Sequence, residues 1–454
     1  MLIDEKNLRK SVLRLAIPAV LEQVLVMIVG VISTMLVGRI GKEALSGVGI
    51  VNQTIAFILV LSVALSTGST VLIARLIGEG NRNIAREAMR QTVVLGSLGF
   101  LIIAIICYFN AAHIIRLFFG KADSEVLLLA TVYFKISMFG LPFLLVNTII
   151  SGNMRGAGNM KAPMFIAFLV NIMNVSLGVM LIFGLQSTTL GIHIPAYGVV
   201  GAAWAISISR TFGGVLSLLW IRYADGPLRS PIFKGFQLDI SLLGRIGNIG
   251  LPAMFEQVVM QGGFLMIQIV LAGQGTTTMA VTQIGNSVNS IAFIPTWGFG
   301  IAATTLIGQS LGEGREEVAK KAGWEAMRLG IIVSSLLSAV LFILSPWLVG
   351  IYTTDPEVLS IGIIAIRIFC VSQPFLAIVV VLSSALRGAG DIKYVMFTGL
   401  IGIWGMRLLL TIFIYHFFQL GALSLWVAYT IDFLVRSIMY LVRFNKGKWQ
   451  KIKV

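Results

Sequence analysis

The stretch LAIPAVLEQV, residues 15–24, sets a proline and then a glutamate inside an otherwise apolar run. Residues 249–258 read IGLPAMFEQV, so the string P-A-x-x-E-Q-V occurs twice. Working outward from it, other strings repeat in nearly the same register. Pro18 to Gln23 falls on Pro252 to Gln257, 234 residues on, and IGEGNRNIAREA (77–88) falls on LGEGREEVAKKA (311–322) at the same spacing. DSEVL (123–127) falls on DPEVL (355–359), and RGAGNMK (155–161) on RGAGDIK (387–393), each 232 residues on. Lys135, Pro142 and Phe143 fall likewise on Arg367, Pro374 and Phe375. Separated strings in one register mean an internal duplication, which must be recognised before any fold is assigned.

Composition fixes the solvent. The chain has 454 residues, is 57% hydrophobic and only 12% charged. Soluble domains carry roughly twice that charge. Apolar runs predict twelve spans, at 15–38, 46–73, 92–112, 126–150, 162–185, 197–221, 247–272, 281–307, 327–350, 358–384, 394–418 and 420–442. Each is long enough to cross a hydrocarbon core of about 30 Å as a helix. No cleavable signal peptide is expected, because the start (MLIDEKNLRK) is charged and the first apolar run is too long for one. Cys107 and Cys370 lie in apolar runs and fit no disulfide framework or metal spacing, and His113, His193 and His416 sit apart. Neither a metal site nor enzyme chemistry is expected.

The net charge of +15 could suggest nucleic acid, but its distribution argues otherwise. With the connections numbered alternately, and Arg328 at the edge of its span counted to them, the side holding both termini carries 25 Lys and Arg. The other side carries four: Arg39, Lys42, Arg116 and Lys121. That bias predicts both termini in the cytoplasm of a multi-pass protein of the inner (plasma) membrane. The basic tail NKGKWQKIK then faces anionic membrane lipid, and no nucleic-acid partner is expected.

Each half holds an even number of spans, so both halves enter the membrane the same way up. The expected fold is an all-α membrane protein: twelve transmembrane helices in two six-helix lobes related by a pseudo-two-fold axis along the membrane normal. The lobes are placed at 1–221 and 247–454, the second with the basic tail, and the polar segment 222–246 is the cytoplasmic linker. Two lobes about a central cleft suit alternating access. A channel is the alternative, but no filter motif is visible.

Three carboxylates lie inside spans: Glu22, Glu256 and Asp432. A charge at a helix centre costs about 2.5–3.5 kcal/mol on insertion scales, so such groups face the protein interior or a wet cavity. All three are ion-coupling candidates. Glu22 lies eight residues beyond Arg14, about 12 Å of helical rise. A carboxylate in a low-dielectric cleft gains affinity for protons. The competing reading has Glu22 and Glu256 pinning helices whose backbone is disturbed by Pro18 and Pro252. Asp432 precedes Arg436 by four residues, the favourable order for a helical ion pair.

Cavity-lining candidates are the other polar residues of the spans. In the first half these are Gln23, Asn52, Gln53, Asn147, Asn171 and Asn174. In the second they are Gln257, Gln261, Gln283, Asn286 and Gln373. Such groups either hydrogen-bond across helices or line a cavity. Met27, Met35, Met260, Met266 and Trp297 could form a plastic apolar wall. The GEG and RGAG strings lack the spacing of phosphate loops and read as tight cytoplasmic turns.

These motifs resemble the multidrug and toxic compound extrusion (MATE) family. The resemblance rests on IPAVLEQV with VGRIG (37–41), the two GEG turns, the paired RGAG turns and P-x-W-G-F-G (295–300), spread over the whole chain. It implies a secondary antiporter expelling cationic or amphipathic organic compounds in exchange for H+ or Na+, with no other cofactor, working as a monomer. A lipid or polysaccharide-precursor flippase of the same superfamily is the alternative, and a receptor or scaffold without flux is a third. The chain departs from the family at three acid positions. Ser33 replaces the aspartate of D-T-x-x-x-G in span 1, Gly178 that of span 5, and Met260 the glutamate of span 7. Ser33 and Met260 join the cavity candidates on that ground.

Overall fold

A computed structural model of the chain describes residues 7–120, 122–187, 192–231 and 236–452. The first residues of the charged start, Lys121, the middle of the 222–246 connection and the last two residues lie outside that range.

In the first half the helices are α1 (Leu8–Gly38), α2 (Lys42–Gly78), α3 (Arg82–Phe109), α4 (Ala111–Phe119), α5 (Ser124–Gly156), α6 (Lys161–Phe183) and α7 (Gly198–Tyr223). A three-residue antiparallel pair, β1 (Leu185–Ser187) and β2 (Ile192–Ile194), joins α6 to α7. The second half holds α8 (Ile240–Ala272), α9 (Thr276–Gly312), α10 (Glu316–Tyr352), α11 (Pro356–Gly388), α12 (Ile392–Leu400), α13 (Leu409–Phe418) and α14 (Leu423–Asn445). A π-helical stretch, Ile401–Leu408, joins α12 to α13 without a break. Taking α12 through α13 as one, twelve helices among the described residues are long and apolar enough to cross a membrane. Each matches an expected span.

The helices overrun the apolar runs at many ends. α10 begins at Glu316, whereas its apolar run begins at 327. The extra turns are polar and reach into the water phase, where hydropathy no longer reports helix. Within hydrocarbon every backbone group must be paired inside the segment, which makes helix the only open choice here. Large apolar side chains accordingly stay uncovered by the chain; Leu336, Ile343 and Trp347 of α10 are exposed. Pro374 in α11 has no N–H to give the carbonyl of Cys370 one turn back. The Ser338 hydroxyl of α10 donates to that carbonyl instead, at 2.6 Å.

The chain divides into two compact units. One comprises Leu21–Ile73 and Asn81–Gly250; within it α5 packs on α3 and α7, and α6 on α7. The other comprises Met1–Val20, Ala74–Gly80 and Leu251–Val454; within it α11 packs on α9, α10 and α14.

The turns after α5 and α11 share one geometry. After α5, the N–H of Asn159 donates to the carbonyl of Met154 (2.8 Å) and that of Gly158 to Arg155 (2.9 Å), with Gly158 at φ +85°. After α11, Asp391 donates to Leu386 (2.8 Å) and Gly390 to Arg387 (2.9 Å), with Gly390 at φ +89°. These are Schellman closures, in which a glycine takes the left-handed conformation and the last carbonyls of the helix are satisfied. The RGAG strings are therefore turns, and each ends its helix one residue beyond an arginine.

Candidate functional site

Those two arginines meet the two in-span glutamates. Arg155 sits in the last turn of α5, and its Nη1 donates to Oε1 of Glu22 on α1 at 2.7 Å. Arg387 sits in the last turn of α11, and its Nη2 donates to Oε1 of Glu256 on α8 at 2.6 Å, its Nε to Oε2 at 3.3 Å. Both carboxylates are buried, Glu22 at 8% exposure and Glu256 at 7%. The duplication has copied an ion pair, not only a residue.

Local packing fixes the arginines. A Cβ on Gly156 would stand 2.5 Å from the carbonyl oxygen of Thr70, so only glycine lets α5 lie this close to α2. Asn153 accepts from the Ser69 hydroxyl of α2 at 2.5 Å and donates to Thr92 of α3 at 3.4 Å. In the other unit Gly388 lies against the backbone of Thr304 on α9, and Thr304 Oγ1 donates to the carbonyl of Ser384 at 2.8 Å. Each guanidinium thus projects from a helix end held rigidly on both sides.

The two pairs differ in their second oxygen. Arg387 takes both oxygens of Glu256. Arg155 takes only one of Glu22; Oε2 of Glu22 is buried and has no hydrogen-bond partner among the described residues. Unpaired buried charge is costly, and proteins retain such atoms where they serve a purpose or hold a water or ion.

Asp432 lies at the centre of a third cluster. Its Oδ2 accepts from Arg407 (Nη2, 2.5 Å; Nε, 3.1 Å) and from Arg436 (Nη2, 2.6 Å), and its Oδ1 from Arg436 Nε at 2.6 Å. Asp432 is 0% exposed and Arg407 2%. Arg407 lies on the π-helical stretch, its guanidinium 3.8 Å from the ring centre of Tyr429 and 5.2 Å from that of Phe433. Gly402, also on that stretch, leaves no room for a Cβ beside Arg436 and Asp432. Two guanidiniums share one carboxylate, and aromatic faces contact the surplus cation, an attraction that strengthens without water.

The neutral candidates scatter. Asn147 accepts from Ser217 of α7 at 2.6 Å and from Ser151 at 3.3 Å, which makes it a link between helices. Asn174 accepts from the Ser33 hydroxyl at 3.0 Å, and one turn on a Cβ at Gly178 would touch Leu36 at 3.3 Å. The two acid positions of the resemblance in the first half therefore face one another as a neutral, partly apolar contact. Met260 lies one turn beyond Glu256, and both border Gly399 on α12. Gln23, Gln257, Gln261 and Asn286 are half-buried; Asn52, Gln53 and Gln283 are exposed. Asn171 Nδ2 and both amide atoms of Gln373 are buried without partners among the described residues.

Sequence reading missed Arg155, Arg387 and Arg407. The first two were hidden inside strings that read as turns, although their shared register with Glu22 and Glu256 was visible. Arg407 lies 25 residues from Asp432 and carries no local signal.

The MatE family profile matches residues 18–180 and again 252–413. The chain is 31% identical over 446 residues to the probable multidrug resistance protein NorM of Thermotoga maritima, covering 98% of this chain and 94% of that protein. It is 23% identical to the multidrug resistance protein MdtK of Yersinia pestis over 444 residues, 96% of this chain and 95% of that protein. Among solved structures it resembles an outward-facing multidrug resistance MATE family transporter at TM-score 0.87 and 21% identity, covering 97% of both chains. At that identity the likeness establishes the fold.

Proposed function

The chain belongs to the MatE family of multi-pass membrane transporters, which are not enzymes, and on that footing we propose that it is a secondary active multidrug efflux antiporter. It exports cationic or amphipathic organic compounds in exchange for H+ or Na+ by alternating access. It works as a monomer in the inner (plasma) membrane with both termini in the cytoplasm. The end-to-end similarity to a protein named for multidrug resistance supports the cargo class.

One observation carries the coupling: the in-span carboxylate of Glu22, with one oxygen on Arg155 and the other buried and unpartnered. A proton or a sodium ion at Oε2 would neutralise a charge that Arg155 satisfies only by half. Taking up the cation from one side and giving it to the other is what exchange requires. Glu256, chelated through both oxygens, is a brace between α8 and α11. Asp432, held by two arginines, is likewise structural.

The test is flux into proteoliposomes of a cationic dye, driven in turn by a proton and by a sodium gradient. Dye movement under one gradient and not the other identifies the ion. A protein that ignores the dye under both and translocates labelled lipid would be a flippase, and the antiporter reading would fall.

A further inference from the structure

A groove of about 560 Å³ opens within the unit that holds the second half, between the first turns of α10 and Leu8 of α1. Its charged lining is Lys321, Glu325 and Arg328, all on α10. Its apolar lining is Leu8 with Trp324, Met327, Ile331 and Ile332. The order along α10 matters. Lys321 stands at the polar end, Trp324 and Arg328 follow one and two turns on, and Ile331 and Ile332 close the apolar end. Eleven residues of helix separate Lys321 from Ile332, about 16 Å of rise. That is most of one leaflet with its headgroup region, about 20 Å. Charge at one end and grease at the other, over half a membrane, matches the profile of one leaflet.

The polar end is reinforced by an ordered cap. Trp324 meets the ring of Phe444 edge-on at 5.6 Å, and Phe444 stacks on Trp449 at 4.7 Å. Trp449 Nε1 donates to the carbonyl of Phe444 at 2.9 Å, Gln450 Nε2 to that of Glu316 at 3.1 Å, and Lys320 Nζ to that of Asn445 at 3.4 Å. The chain after α14 is thereby fastened to the start of α10. It carries Lys446, Lys448 and Lys451, all exposed, as are Lys321 and Arg328 of the groove. Glu325, between Lys321 and Arg328 on α10, is the carboxylate in the groove's lining.

We propose that this groove binds one anionic glycerophospholipid. Its phosphate lies between Lys321 and Arg328, and an acyl chain runs along Trp324, Ile331 and Ile332. Basic pockets on the cytoplasmic side of transmembrane helices favour such headgroups, and a tryptophan suits the boundary between headgroup and chain. The inference is independent of the coupling proposal and holds whatever the cargo.

The full-length protein, delipidated in mild detergent, is offered phosphatidylglycerol or phosphatidylcholine of matched chains. Bound lipid is counted by native mass spectrometry and thermal melting is followed in parallel. Phosphatidylglycerol is expected to remain bound and raise the melting temperature, while phosphatidylcholine does neither. The double variant Lys321→Gln/Arg328→Gln is expected to bind phosphatidylglycerol roughly thirtyfold more weakly. Arg39→Gln/Lys42→Gln, which removes equal charge elsewhere, is expected to bind as wild type. Equal retention of both lipids, an unchanged Lys321/Arg328 variant, or the same loss in both variants would overturn the proposal. So would a melting shift reproduced by inorganic phosphate alone.

Discussion

At the scale of residues, Glu22 and Glu256 share a register, a burial and a type of partner, and differ in one oxygen. The difference makes them separable by mutation. Glu22→Gln is expected to abolish gradient-driven dye efflux while passive dye exchange continues. Glu256→Gln is expected to keep coupling and melt earlier, because Arg387 loses its carboxylate. Flux assays on the two variants, with melting curves alongside, check both halves. Asp432→Asn should be the more damaging change. It leaves Arg407 and Arg436 facing each other without a countercharge, and losing one partner of a buried pair costs about 3–5 kcal/mol. Denaturation in detergent reads this directly, as a larger fall in stability than in Glu256→Gln. The acids themselves were legible in the sequence, because a carboxylate within an apolar run stands out. Their partners were not. Arg155 and Arg387 stand where hydropathy has already ended the span, and Arg407 reaches Asp432 from another helix.

At the scale of elements, all twelve spans could be read from hydropathy, and the RGAG strings could be read as turns from their glycines. Helix ends could not, because the polar turns of α3 and α10 continue the helix into water where apolar patterning stops. The π-helical stretch could not be read either. It keeps the same apolar composition as its flanks and reveals itself only through the contacts of Arg407 and Gly402. The turns make their own prediction. Gly390→Ala forces a side chain into a left-handed backbone at φ +89° and should cost about 1 kcal/mol. Gly156→Ala should be worse despite an ordinary helical backbone, since its methyl meets the Thr70 carbonyl. Comparative melting of the two variants ranks them.

At the scale of the whole molecule, the repeated strings led to the doubled halves, and the family profile matches two stretches that begin 234 residues apart. The charge bias makes a further prediction about topology. Single cysteines at Lys448 and at Lys42, in a background lacking Cys107 and Cys370, should react with an impermeant maleimide from opposite sides of intact cells or inverted vesicles. Labelling of both from the same side would refute the orientation.

The composition of the compact units also bears on how the protein is made. The unit completed by Leu251–Val454 also includes the start of α1, which is translated well before that stretch. The start of α1 therefore enters the bilayer long before its packing partners are translated. It can complete its packing only once those later helices are made. A translation product broken off within the second half would carry an unfinished unit and become a substrate for membrane quality-control proteases.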